Sequence, residues 1–158
     1  MGAMPTIRRA TIADQGTLIR LRLALFREMG EVPTEADEHA LGAALEHYFA
    51  TEMPPGRFHG WLALDDAGEA VGCGGLVFAR KPPSHGNHSG CEAYLMNMYT
   101  LPVWRGRGVA GGILGAILAF ARESGVGAVR LHATERGRPI YERAGFRSIG
   151  TEMVMAIK

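Results

Sequence analysis

The residues Arg105-Gly106-Arg107-Gly108-Val109-Ala110-Gly111-Gly112 stand between a run that reads as a β-strand, Cys91 to Thr100, and an apolar run that reads as a helix ending near Glu123. Glycine admits positive φ and lets a ligand come close to the backbone. A helix start offers unpaired N–H groups and the positive end of the helix dipole. With Arg105 and Arg107 on the same turn, the segment predicts a cradle for a diphosphate. The plainer alternative is a tight turn with solvated arginines. Four glycines at a helix start, however, cost stability that such a turn does not require.

The same residues spell Gly106-x-Gly108-x-x-Gly111, the pattern of a dinucleotide-binding turn, and the acidic Glu135 follows the next strand. Two features oppose that reading. In a dinucleotide fold the strand runs straight into the first glycine, whereas Pro102, Val103, Trp104 and Arg105 intervene here. Such a fold also continues through several βα units, and the stretch from Gly112 to Lys158 holds only one of them and a closing strand. A nicotinamide-dinucleotide-binding protein stays as the lesser alternative.

With 158 residues, 47% hydrophobic and 21% charged, the chain is of one-domain size, and no repeat or linker divides it. A net charge of +1 gives no electrostatic case for nucleic acid or a membrane surface as partner. Lys81 and Lys158 are the only lysines, so arginine carries the positive charge, and its fork suits fixed contacts to anions. The most apolar stretch, Val109 to Ala121, falls short of the about 20 residues that a membrane-spanning helix needs. Two cysteines, Cys73 and Cys91, and a start without an apolar signal region point to a cytoplasmic protein with free thiols. Residues 1–4 read as a cloning remnant.

Along the chain, Thr6 to Ala10 reads as a first strand. Thr11 with Asp14 fits a helix-opening capping arrangement, and Leu18, Leu21, Leu25 and Met29 then share a helical face. Thr34 with Asp37 opens a second helix, whose stripe is Leu41, Ala44, Leu45, Tyr48 and Phe49 and which stops before Pro54-Pro55-Gly56. Phe58 to Leu64 and Ala70 to Ala79 form a hairpin across Asp65 to Glu69, and Lys81 to Gly90 is a loop. Val126 to Ala133 is a strand, Gly137 to Arg143 a short helix, and Phe146 to Ile157 one bent closing strand or two short ones. The meander in the middle and the interleaving at the end predict a mixed α/β sheet with helices on both faces.

The run Tyr99-Thr100-Leu101-Pro102-Val103-Trp104-Arg105-Gly106-Arg107-Gly108-Val109-Ala110 resembles the signature of the GNAT superfamily of N-acetyltransferases. That signature is a strand, a proline-containing turn, and Arg/Gln-x-x-Gly-x-Gly/Ala opening a helix; Arg105, Gly108 and Ala110 fill its defined positions. Downstream, Gly137-Arg138-Pro139-Ile140-Tyr141-Glu142-Arg143-Ala144-Gly145-Phe146 resembles the closing helix of the family. The detailed likeness covers roughly residues 91 to 150, while the first 90 residues agree with the family only in element order.

The resemblance implies a GNAT-like α+β fold: a mixed, mostly antiparallel sheet of six or seven strands with a parallel splay at its centre. It implies one acetyl-CoA-dependent domain that moves an acetyl group to a primary amine by direct attack in a ternary complex. The backbone from Arg105 through Gly106, Arg107, Gly108 and Val109 to Ala110 would hold the pyrophosphate of acetyl-CoA. Met98, Tyr99 and Thr100 would receive its pantetheine arm as an added strand, with an N–H near the thioester carbonyl. Tyr141 takes the place of the tyrosine that protonates the departing thiolate. Where the family often has an asparagine before the closing helix, this chain has Thr134-Glu135-Arg136. The usual place of a general base is Tyr94 here. Strict alternation puts Glu92, Tyr94, Met96, Met98 and Thr100 on one face, which leaves Glu92 as the candidate base and water as its alternative. A small-molecule or peptide amine is the implied acceptor, members are often homodimers, and a CoA-binding module with little or no catalysis is the alternative.

His85, His88 and Cys91 recur every three residues, but a zinc site of that kind pairs such a set with a second cluster, so no metal is expected. The loop carrying them enters the strand of the implied cofactor site and so could border the acceptor.

Overall fold

Side chains near each helix start account for where the first two helices begin. Asp14 accepts from the Thr11 backbone N–H at 2.8 Å and from Arg8, closing a capping box over a short 3₁₀ turn, Ile12–Asp14, that runs into α1, Gln15–Met29. Thr34 caps α2, Glu35–Glu52, by accepting the Asp37 N–H at 3.1 Å. In the computed structural model, which describes residues 2–157, the remaining elements are β1 (Thr6–Arg9), β2 (Phe58–Leu64), β3 (Ala70–Arg80), β4 (Cys91–Thr100), α3 (Val109–Glu123), β5 (Ala128–Arg130) and α4 (Arg138–Arg143).

The strands form one sheet in the order β1-β2-β3-β4-β5, antiparallel as far as β4. Only β4 and β5 are parallel. One core lies between the sheet and α3, with Trp61, Ala93, Leu95, Ile113 and Ile117 buried; the other lies under α1 and α2, with Leu18, Leu21, Phe49, Phe58 and Cys73. Helices therefore cover both faces. The α3 face is set by a glycine: a Cβ on Gly74 would stand 2.7 Å from Ile113 Cγ2 and 2.8 Å from Ile117 Cδ1, so its absence lets the helix lie close against β3.

Three expectations need correction. The described residues hold five strands, not six or seven. The strand expected over Val126 to Ala133 is confined to Ala128–Arg130. The closing strand over Phe146 to Ile157 does not form: no ladder includes it, and Met153, Val154, Met155 and Ile157 are 80–96% exposed. Apolar alternation gives a segment strand character, but a strand exists only where a neighbour takes its N–H and C=O groups.

The fourth correction bears on the site. Tyr99 stands opposite Cys73 and Met96 opposite Gly75, so Gly74 alone faces both Asn97 and Met98. This is a β-bulge, and Asn97 adopts a positive φ of 59° within it. A bulge shifts the side-chain parity of everything beyond it. Before it, Ala93 and Leu95 face α3; after it, Tyr99 packs in the α1/α2 core while Met98 packs toward α3. Glu92, Tyr94, Met96, Met98 and Thr100 therefore do not share one face.

Candidate active site

The parallel pairing of β4 with β5 runs only from Glu92–Ala128 to Tyr94–Arg130. Beyond Tyr94, β4 continues to Thr100 bonded to β3 alone, so its backbone groups on the other side are not used by the ladder. The bulge at Asn97 lies in this part of β4, and Met98, Tyr99 and Thr100 follow it. The gap leads to the turn in which Gly106 and Gly108 have φ of 74° and 81° and after which α3 starts at Val109. Nothing lies within 4 Å of the Cβ position of Gly106, and Gly108 meets only the end of Met4 at 3.7 Å. The open turn, the first N–H groups of α3 and the exposed Arg107 make a place fit for a diphosphate.

The two arginines of the turn have different tasks. Arg105 donates two hydrogen bonds of 2.7 Å to the Glu28 carboxylate and one of 2.9 Å to the Thr100 carbonyl. Its charge is matched, and it ties the end of α1 to the turn. The Glu28 carboxyl is lowered from its usual pKa, chiefly by the hydrogen bonds from Arg105. Arg107 has no ion pair among the described residues and lies over the Trp104 ring, 5.1 Å from its centroid. It is the arginine whose charge is available to an anion.

Tyr141, on α4, packs its ring edge-on against Phe146, with centroids 5.9 Å apart. Burial raises its phenol above the ordinary value, which keeps the hydroxyl protonated at neutral pH. The α4 start that places it is closed by Thr134, whose hydroxyl accepts the Gly137 N–H at 3.1 Å, so the Thr134-Glu135-Arg136 stretch has a local structural use. Tyr141 lines a cavity of about 600 Å³ along β5 and α4, shared with Arg130, His132 and Arg138 and reaching Tyr94, where β4 and β5 part.

Glu92 is placed differently from a base. Arg130 donates to it at 2.9 Å and Lys81 lies 3.0 Å away, and hydrogen bonds from these two cations push its carboxyl down to about 2. A carboxylate held so firmly ionised accepts a proton weakly. Its evident work is to fasten the 81–90 loop and β5 to the start of β4. Among the described residues no group of three or more His, Cys, Asp or Glu is placed to hold a metal, and His85 and His88 merely approach with ring centroids 6.4 Å apart. No described helix is long and apolar enough to cross a membrane.

Motif reading passed over Arg22 and Asn97. Both line a second cavity, of about 410 Å³, on the α1/α2 side of the sheet, and Tyr94 lines this cavity as well as the first. The signals were an arginine beside the apolar stripe of α1 and a lone amide in the Tyr- and Met-rich β4.

A mostly antiparallel sheet opened at a single parallel pair, with a glycine turn and helix start at the end of the gap, defines an α+β protein with a ligand cleft at the splay and excludes a doubly wound dinucleotide fold. The chain belongs to the acetyltransferase (GNAT) family, whose sequence model matches residues 22–146. It is 30% identical over 152 residues to the aminoglycoside N(6')-acetyltransferase type 1 of Stenotrophomonas maltophilia, covering 96% of this chain and 89% of that protein. Its fold matches the crystal structure of a GCN5-related N-acetyltransferase from Ralstonia eutropha JMP134 with a TM-score of 0.86, at 29% identity and over 98% and 99% of the two chains. A predicted acetyltransferase of Clostridium acetobutylicum, solved with acetyl-CoA, matches with a TM-score of 0.85 at 26% identity, over 98% and 96%.

Proposed function

We propose that this chain transfers an acetyl group from acetyl-CoA to a primary amine by direct attack in a ternary complex. The observation that carries the proposal is the gap beyond Tyr94, lined by the β4 edge that β5 leaves unpaired and ending on the open turn at Gly106–Gly108. In this reading the N–H groups from Arg105 to Ala110 and the Arg107 guanidinium hold the pyrophosphate. The backbone of Met98 and Thr100 takes the pantetheine arm in place of a missing strand, and an N–H at the bulge donates to the thioester carbonyl. A donor set where negative charge grows is worth a few kcal/mol in the transition state. The C–N bond forms as the C–S bond breaks. An ammonium acceptor gives up two protons: the departing thiolate takes one from Tyr141, one of the amine's protons restores the Tyr141 phenol, and the other is released to solvent. Tyr141 is suited to that step because burial keeps its phenol neutral. Water carries the amine protons away, since Glu92 is committed to Arg130 and Lys81.

Thermal melts with acetyl-CoA, CoA, NAD and NADP test the first half of the proposal. A ligand at 100 times its Kd stabilises by about 2.7 kcal/mol, so acetyl-CoA should raise Tm plainly and NAD should not. No rise with acetyl-CoA would overturn the proposal, and a rise without turnover of any amine would leave a CoA-binding module. For the second half, Tyr141→Phe should lower kcat by about 10²-fold or more while leaving the acetyl-CoA melt shift in place. Unchanged kcat across pH would remove Tyr141 from the proton step.

A further inference from the structure

The 410 Å³ cavity on the α1/α2 side has a composition that selects among amines. Its walls include the rings of Tyr48, Phe49 and Phe58 and the side chain of Met96, packed around Arg22 and Asn97. No Asp or Glu lines it. Arg22 has no ion pair or hydrogen bond among the described residues; it stacks on Phe26, with its guanidinium carbon 4.6 Å from the ring centroid. Burial lowers its pKa, with Tyr48, Cys73 and Glu31 opposing the shift more weakly. Asn97 is 4% exposed, and neither its amide oxygen nor its amide nitrogen has a hydrogen-bond partner. Buried amides without partners are rare in folded proteins and call for a ligand or solvent to complete them.

These observations are independent of one another and point the same way. A half-buried guanidinium with no ion pair or hydrogen bond can take a carboxylate, which its planar fork binds with two hydrogen bonds. An unpartnered amide at the bulge offers an acceptor and a donor to an amine and its neighbouring atoms. Aromatic and thioether walls take an apolar body. About 410 Å³ lies toward the lower end of the roughly 300–1,000 Å³ usual for small-molecule sites. Tyr94 lines both this cavity and the one containing Tyr141.

On the reading that the chain acetylates a primary amine, we propose that its acceptor is a free α-amino acid with an apolar side chain. Its carboxylate lies on Arg22, its side chain lies among Tyr48, Phe49 and Phe58, and its amine is oriented by Asn97. The amine nitrogen forms the new C–N bond to the acetyl carbon, the C–S bond of acetyl-CoA breaks, and the products are the N-acetyl amino acid, CoA and one proton. The same walls do not suit a polycationic amine, because a lining with one arginine and no carboxylate repels it. This separates the chain from its relative named for aminoglycosides.

The test compares kcat/KM for L-phenylalanine, L-leucine, L-phenylalaninamide and kanamycin with acetyl-CoA, following CoA release and the N-acetyl product by mass spectrometry. Phenylalanine should exceed its amide, which lacks the carboxylate, by at least about tenfold, with kanamycin the poorest. Arg22→Gln should bring the acid-to-amide ratio close to one, and the acetyl-CoA melt shift of the same variant reports whether its fold survives. The inference is overturned if the amide matches the acid, if kanamycin is preferred, or if Arg22→Gln keeps the ratio. It is also overturned if acetyl-CoA binds and no amino acid is acetylated. If acetyl-CoA itself does not bind, the broader reading fails first and this one with it.

Discussion

Gly74→Ala adds one methyl group where two functional demands meet. Gly74 has no unusual backbone angle, so alanine costs nothing in φ and the whole effect is packing. Its Cβ would stand 2.7 Å from Ile113 Cγ2, 2.7 Å from Met98 Sδ and 2.8 Å from Ile117 Cδ1. Ile113 and Ile117 are fully buried on α3 and have nowhere to turn, so α3 must back away from β3. Overpacking of this kind costs typically 1–3 kcal/mol. With an m-value of about 2 kcal/mol/M in urea, a loss of about 2 kcal/mol lowers the unfolding midpoint by about 1 M with m unchanged. Gly115→Ala, on α3 itself, is the control. Nothing lies within 4 Å of its Cβ position, so alanine should stabilise by about 0.5–1 kcal/mol and raise the midpoint. On the proposed function, in which the Gly106–Gly108 turn before α3 and the backbone at Met98 hold acetyl-CoA, Gly74→Ala should also raise the KM for acetyl-CoA. An unchanged midpoint in Gly74→Ala would refute the view that the missing Cβ sets the helix against the sheet.

Arg107→Glu should weaken acetyl-CoA in titration calorimetry by about tenfold or more, because it reverses the unpaired charge beside the turn proposed to hold the pyrophosphate; unaltered affinity would take Arg107 out of that role. The Glu92 carboxyl, held near 2 by Arg130 and Lys81, lies below its unfolded value of about 4.5, so the stability it contributes is present above that value and fades as pH falls toward 2. Glu92→Gln should therefore have a lower Tm than the parent at pH 6, with the difference shrinking between pH 5 and pH 2; a constant difference would show that the ion pairs are not its source. Cys73 is wholly buried, its thiol is pushed up to about 12, chiefly by that burial, and its Sγ–H donates to the Asn97 carbonyl at 3.1 Å. A disulfide reagent at pH 8 should thus modify one thiol, Cys91, in the native chain and two in denaturant, and rapid native labelling of both would contradict this burial.

The split between what the sequence told and what it withheld follows the range of the interactions. Capping at Thr11 and Thr34, the stripe Leu45/Phe49 and the turn at Gly106–Gly108 depend on residues within a few positions, and they stand in the structure as read. The strand pairings did not carry over as well, because whether Phe146 to Ile157 is a strand depends on a partner elsewhere in the chain. The bulge at Asn97 is the most consequential case. Along Glu92 to Tyr99 the exposure still alternates, so nothing in the local pattern marks the place where the faces exchange. The extra residue is set by register against β3, at Gly74, a residue more than twenty positions earlier that makes room for Met98 on the α3 side. Only the residue type hints at it, since asparagine tolerates positive φ better than the Met and Leu around it. That one irregularity decides which β4 side chains face the α1/α2 helices. It turns Met98 toward α3 and Tyr99 toward α1 and α2. It also places an unpartnered amide on a cavity that already holds an unpaired guanidinium. Reading β4 as a regular strand finds the turn that would hold acetyl-CoA and misses the side chains that would choose its acceptor.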